Sequence, residues 1–92
     1  MKQEGRQMRK IQNVALVREA SGEKHMVVST EYGTSFSVSV YDNDEFAEKG
    51  EQAACIEWHR ANNKDELDAT YAYLCTKYGV VIQSTVWMSD SQ

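Results

Sequence analysis

Apolar and polar residues alternate with a period of two through much of the first half of the chain. The alternation is cleanest at Phe36, Val38 and Val40, which are separated by serines. Successive side chains of a strand point to opposite faces, so this segment, Ser35–Tyr41, predicts a strand with one core face and one solvated face. The same alternation predicts two earlier strands separated by glycine-containing turns: Lys10–Ala20 and His25–Tyr32, with turns at Ser21-Gly22-Glu23 and Tyr32-Gly33-Thr34. Together they predict an antiparallel meander.

The segment after Asp42 fits two interpretations. In the first, Asp42-Asn43-Asp44 caps a short helix over Glu45–Lys49, and a strand follows over residues 54–59. In the second, one helix runs from Asp44 to Ala61. That helix would hold Gly50 in its middle, at a cost of about 1 kcal/mol relative to alanine. We favour the helix followed by a strand.

The last third of the chain has a helical stripe. Leu67, Tyr71, Leu74 and Tyr78 follow the spacing of one helix face, and Asn63 provides a capping residue. A closing strand is predicted over Val80–Met88. The fold class is therefore α+β, with a small antiparallel β-sheet of three to five strands in meander order packed on one main α-helix. The predicted organisation is a flexible N-terminal arm (1–9), a single α+β domain (10–88) and a tail (89–92).

The composition indicates the class of protein and its expected cellular compartment. The 92 residues are 41% hydrophobic and 26% charged, as in globular domains. No apolar run approaches the roughly 20 residues of a membrane span, and the first ten residues lack the apolar stretch of a secretory signal. Met8 is a second candidate first residue. We expect a cytoplasmic protein, in the host cell if phage-encoded, with Cys55 and Cys75 reduced.

Charge is distributed unevenly. Residues 1–24 carry six Lys/Arg and three Glu, whereas residues 25–92 carry four Lys/Arg and eleven Asp/Glu. The predicted partner-binding residues are the acidic run and one off-stripe tyrosine: Asp42, Asp44, Glu45, Glu48, Glu51 and Tyr73. A weaker nucleic-acid contact is assigned to the basic arm: Arg6, Arg9 and Lys10. A net charge of −4 disfavours direct nucleic-acid binding by the whole domain.

Catalytic and metal-binding patterns are weak. Cys55 and His59 are four residues apart, but Cys75 and His25 are scattered, and a zinc site is usually announced by close ligand pairs. No phosphate-binding glycine loop or nucleophile motif is present. The sequence predicts no enzyme, no cofactor and no metal, with a half-buried thiol and a surface histidine instead.

In size and charge distribution the chain resembles the small phage-encoded anti-defence proteins, of which anti-CRISPR proteins are the best-known group. The acidic Asp42–Glu51 run beside the meander of residues 10–41 carries this resemblance, which includes no motif and transfers no site residue. It implies a non-enzymatic inhibitor that docks on the basic groove of a host protein or ribonucleoprotein complex and blocks nucleic-acid binding. The alternative is a homodimeric structural or regulatory accessory protein of a phage or mobile element, assembled by sheet-edge pairing. A third interpretation, RNA stacking on Trp58 or Trp87, conflicts with the net charge.

Overall fold

The computed structural model describes residues 8–91 and confirms the α+β class. Five strands and two α-helices follow in the order β1 (Met8–Arg18), β2 (Lys24–Tyr32), β3 (Ser35–Asp42), α1 (Asn43–Lys49), β4 (Cys55–Ala61), α2 (Lys64–Tyr78) and β5 (Val80–Ser91). A 3₁₀ turn over Gly50–Gln52 follows α1.

The five strands form one open antiparallel sheet in the order β4-β3-β2-β1-β5. Strands β1 to β4 are a meander, as the sequence predicts. The chain then crosses back through α2 and adds β5 beside β1. Strands β4 and β5 are therefore the two edges of the sheet.

Helix α2 covers one face of the sheet. Leu67 and Leu74 are its buried anchors, with exposures of 2% and 0%. They pack in a core cluster with residues from the first four strands: Ala15, Val17, Val27, Val38, Val40 and Ala61. The predicted cap is present, since the Asn63 side chain accepts a hydrogen bond from the Glu66 amide at 2.8 Å. Tyr71 and Tyr78 pack against this cluster, as their places on the stripe predict.

The opposite face is partly covered, which the sequence interpretation missed. The serines that alternate with the apolar residues of β3 were predicted to face solvent. Ser35 does so, but Ser37 is half-buried and Ser39 is only 8% exposed. Helix α1 follows β3 directly and folds back over this face, where Phe46 packs in a second cluster. Its partners in that cluster are Val14, Val28, Tyr41 and Ala53. The prediction was wrong because the sequence shows the short helix but not the direction in which it leaves β3, which places Phe46 over this face.

The ambiguous segment is a helix followed by a strand, as favoured. Asp42 caps α1, accepting a hydrogen bond from the Glu45 amide at 3.1 Å. Gly50 ends α1 at a φ of 62°, in the region that favours glycine. A single helix over residues 44–61 is excluded.

Two predicted boundaries were too narrow. Strand β1 begins at Met8, so Arg9 lies in the sheet and not in an arm. Strand β5 continues to Ser91, so most of the predicted tail is also in the sheet. The cause is pairing between these strand ends, with Arg9 opposite Asp90, which the local polar sequence does not reveal. Arg6 lies outside the described residues.

In the part of the chain that the structure describes, no helix is long and apolar enough to cross a membrane. The two cysteines are not bonded to each other, and Cys55 is exposed while Cys75 is buried.

Candidate functional site

The main candidate site is the outer strand β5. Six of its side chains are large, apolar and substantially exposed: Val80 (70%), Val81 (45%), Ile82 (42%), Val86 (58%), Trp87 (42%) and Met88 (61%). We call these six residues the β5 surface. Single exposed apolar residues are common, but two groups of three on one edge strand make that strand a candidate interaction site.

The β5 surface is exposed because the core ends at β1. Of the buried residues in the cluster beneath α2 and in the cluster beneath α1, none comes from the described part of β5. Trp87 of β5 does contact the second cluster, because its ring stacks on Phe46 with centroids 6.2 Å apart and an interplanar angle of 12°. Trp87 nevertheless keeps 42% of its surface exposed. Backbone pairing to β1 is therefore the main attachment of β5 to the domain.

Natural edge strands usually carry lysine, proline or a bulge that prevents pairing with another chain. From Val80 to Ser89, β5 has no charged residue and no proline. Its register shifts once, opposite Leu16 and Val17, and the pairing then runs without interruption from Gln83 to Ser91. The straight part thus offers unpaired backbone groups, with apolar side chains on both faces.

The opposite edge strand, β4, carries charged groups that disfavour pairing with another chain. Ile56 and Trp58 are 51% and 57% exposed, but they alternate with charged or polar neighbours. Glu57 accepts hydrogen bonds from Lys77 at 3.0 Å and 3.1 Å, and from Tyr78. His59 lies 2.8 Å from the same carboxylate. These charged groups make β4 a poor template for strand addition.

The Glu57 group has a structural role. Hydrogen bonds from Tyr78, His59 and Lys77 lower the pKa of Glu57 to about 2. Burial, with the bond to Glu57, raises the pKa of Tyr78 to about 12. The carboxylate stays ionised and the phenol stays protonated at neutral pH. This group ties β4 to the end of α2.

The predicted acidic surface is only partly available. Asp42 caps α1, and Glu45 pairs with Lys49 at 3.4 Å. Glu51 pairs with Lys10 at 3.4 Å and also accepts a hydrogen bond from the Gln12 side chain. The two acids of this run that remain exposed without a role of this kind are Asp44 and Glu48.

Tyr73 and the basic residues fall in other places. Tyr73 is 63% exposed, as predicted, but it lies on α2, across the sheet from α1 and the acidic run. The predicted partner-binding residues therefore do not form one surface. Lys10 is engaged with Glu51, and Arg9 is exposed on β1.

The cysteine and histidine predictions have mixed outcomes. His59 is exposed, as predicted for a surface histidine, but neither thiol is half-buried, since Cys55 is exposed and Cys75 is buried. His25 is 8% exposed and packs against the Tyr78 ring at 4.8 Å. Cys55 is exposed, and its thiol donates to the Glu57 carbonyl at 3.0 Å, while His59 contacts the Glu57 carboxylate. Both side chains therefore make their hydrogen bonds to Glu57. Burial raises the pKa of Cys75.

The sequence interpretation missed β5 as a site, although a signal existed. Ten consecutive residues without charge include VVI and VWM, which is unusual for an edge strand. Which strand lies at the edge depends on the β1–β5 pairing, and the sequence pattern alone does not show it.

No protein-family model matches the chain, and neither a curated protein nor a solved structure does.

Proposed function

We propose that the protein is a non-enzymatic binding domain that forms a homodimer by antiparallel pairing of β5 with β5 of a second copy. Such a dimer would serve as a structural or regulatory accessory protein, acting in the cytoplasm. The observation that supports it is an edge strand that carries no charge from Val80 to Ser89 and exposes the β5 surface.

Self-pairing suits this strand geometrically. With Val86 on a two-fold axis, Thr85 would face Trp87 of the second copy, and Ser84 would face Met88. No like charges oppose each other from Gln83 to Ser89. Each aromatic or β-branched cross-strand pair contributes roughly 0.2–1 kcal/mol, and the symmetry repeats each pair. Pairing would also satisfy the outward backbone groups of β5 and join two sheets into one of ten strands.

A second copy suits the site better than a basic partner does. The chain has a net charge of −4, so two copies repel each other at long range, but residues 83–89 of the contact itself carry no charge. An uncharged contact that contains Val86, Trp87 and Met88 matches the depletion of charged residues at interface cores.

The test is the mass of the protein in solution. Light scattering after size-exclusion chromatography should give twice the 10.5 kDa chain mass for the wild type. Val86→Lys places a charge at the centre of the pairing and should give a monomer with an unchanged circular dichroism spectrum. Ile56→Lys makes the same kind of change on the opposite edge and should leave the dimer intact. A monomeric wild type, or a dimer lost equally in both variants, would contradict the proposal.

A second candidate is the inhibitor that docks on a basic groove of a nucleic-acid-handling complex. The exposure of Asp44 and Glu48 on α1 favours it. Affinity capture from a bacterial lysate should recover such a complex. Reversing Asp44, Glu45 and Glu48 to lysine should weaken capture at least tenfold, whereas reversing the exposed Asp68 of α2 should not. Equal capture by both variants would remove this surface from consideration.

A further inference from the structure

The turn between β1 and β2 brings three potential metal ligands together. One ligand atom each of Glu19, Glu23 and His25 lies within 4.8 Å of the other two. The turn is closed by hydrogen bonds from the Glu19 amide to the Glu23 carbonyl and from the Gly22 amide to the Glu19 carbonyl, each 2.9 Å long. The backbone therefore holds the two carboxylates on either side of the turn, next to the first residues of β2.

His25 has an unsatisfied atom at this place. The residue is 8% exposed, and its Nδ1 is buried without a hydrogen-bond partner among the described residues. The nearest carboxylate oxygen of Glu19 is 3.9 Å away, too far for a hydrogen bond. A buried polar atom left without a partner destabilises the folded state, so such an atom calls for a specific explanation.

The imidazole is also held in place. Its ring packs against Tyr78 with centroids 4.8 Å apart, and the Tyr78 hydroxyl is fixed by its hydrogen bond to Glu57. Metal-binding imidazoles need this kind of orientation, because the ring nitrogen must point at the ion. Packing from α2 thus aims Nδ1 toward the two carboxylates.

We propose that Glu19, Glu23 and His25 bind one divalent transition-metal ion of the zinc class, with water completing the coordination. One imidazole nitrogen and two carboxylate oxygens form a donor set that zinc accepts. Zinc ligands lie about 2.0–2.2 Å from the ion and hence about 3–4 Å from each other. Rotation of the exposed Glu23 side chain closes the remaining gap. Magnesium and calcium require six or more oxygen ligands and do not suit this site.

This site lies at the turn between β1 and β2, beside a cavity that Glu19 lines together with Val80 and Ile82. It uses none of the residues 83–89 that would pair in the proposed dimer and does not depend on that dimer. The ion would connect Glu19, the residue after β1, to His25 in β2. It would also accept the lone pair of the buried Nδ1 atom, which has no hydrogen-bond partner among the described residues. A ligand that binds only the folded state raises its stability by mass action. Zinc should therefore raise the thermal midpoint of the metal-free protein.

The test is calorimetric titration of untagged, chelator-treated full chain with zinc chloride. We expect one site per chain, no binding of magnesium, and a shift of the His25 ring signals in nuclear magnetic resonance spectra. Glu23→Gln should weaken binding at least tenfold and reduce the zinc-induced rise in thermal midpoint. His59→Gln is the matched control, since it removes the other histidine and should change neither quantity.

Three results would overturn the proposal: no saturable zinc binding, binding lost in His59→Gln, or binding unchanged in Glu23→Gln. His25→Gln should abolish binding. If that variant does not fold, Glu23→Gln decides alone, because its side chain is exposed and its loss leaves the core intact.

Discussion

Replacing Gly79 by alanine is expected to displace the start of β5 from β1. Gly79 joins α2 to β5 and has φ 139° and ψ −136°, a conformation essentially limited to glycine. A Cβ at this position would lie 2.5 Å from the Arg18 carbonyl carbon and 2.9 Å from the Glu19 amide nitrogen, and closer still to the Arg18 carbonyl oxygen. These are backbone atoms of the β1 end, which cannot swing aside as a flexible side chain does.

The expected loss in the free energy of unfolding of Gly79→Ala has two parts. A non-glycine residue in such a conformation costs about 1–3 kcal/mol. Forcing atoms into a closely packed place costs about 1–3 kcal/mol more. Gly22 is a control that separates the conformational cost from the packing cost. It also has a positive φ, 98°, but a Cβ added there would have no atom within 4 Å. Gly22→Ala should therefore incur only the conformational cost.

The assay is urea unfolding followed by tryptophan fluorescence, at one protein concentration for all variants because dimerisation would affect the midpoint. Gly79→Ala should lower the free energy of unfolding by about 1–3 kcal/mol more than Gly22→Ala does. At 4–8 °C per kcal/mol this is a further fall in melting temperature of about 4–24 °C. Equal costs for the two variants would refute the close approach of the α2–β5 junction to Arg18.

Three further predictions concern the rest of the domain. Because the pKa of Glu57 falls from 4.5 unfolded to about 2 folded, its stabilising effect should be present above pH 4.5 and lost as pH falls toward 2. Glu57→Gln should flatten this acid dependence in unfolding titrations, by about 1 kcal/mol once solvent screening is counted. Leu74→Ala should lower the free energy of unfolding by about 2–5 kcal/mol, whereas Tyr73→Ala should change it by about 0.5 kcal/mol or less; equal effects would contradict the assigned core. A thiol reagent should modify native protein rapidly at Cys55 and slowly at the buried Cys75, and Cys55→Ser should remove the fast phase seen by mass spectrometry.

Local patterning was enough to predict most of the fold. The alternation in β3 and the stripe of α2 arise from one buried face each, so their elements and their contact with each other follow from sequence. The cover that α1 gives to the second face was not predictable in the same way. It depends on one residue, Phe46, and on the direction in which the chain leaves β3.

The candidate sites depend on long-range pairing, which explains why the sequence interpretation placed them elsewhere. The acidic run was predicted to bind a partner because of its charge. Within the fold, however, Asp42 caps α1 and Glu51 forms an ion pair with Lys10, so these two acids stabilise the domain itself. His25 was interpreted as scattered from other metal ligands because neither the packing of Tyr78 nor the approach of Glu19 and Glu23 is visible in local sequence. Strand β5 could be predicted as a strand, but not as an edge.

Hydrogen exchange of the β5 backbone amides, measured as protein concentration is raised, tests the central claim most directly. Amides of β5 that point away from β1 have no partner in a single chain, whereas β5–β5 pairing would bond them to the second copy. We expect these amides, between Gln83 and Ser89, to become protected from exchange as the protein concentration rises. The outward amides of β4 should stay unprotected, and Val86→Lys should abolish the protection of the β5 amides. Rapid exchange of the outward β5 amides at every concentration would contradict it.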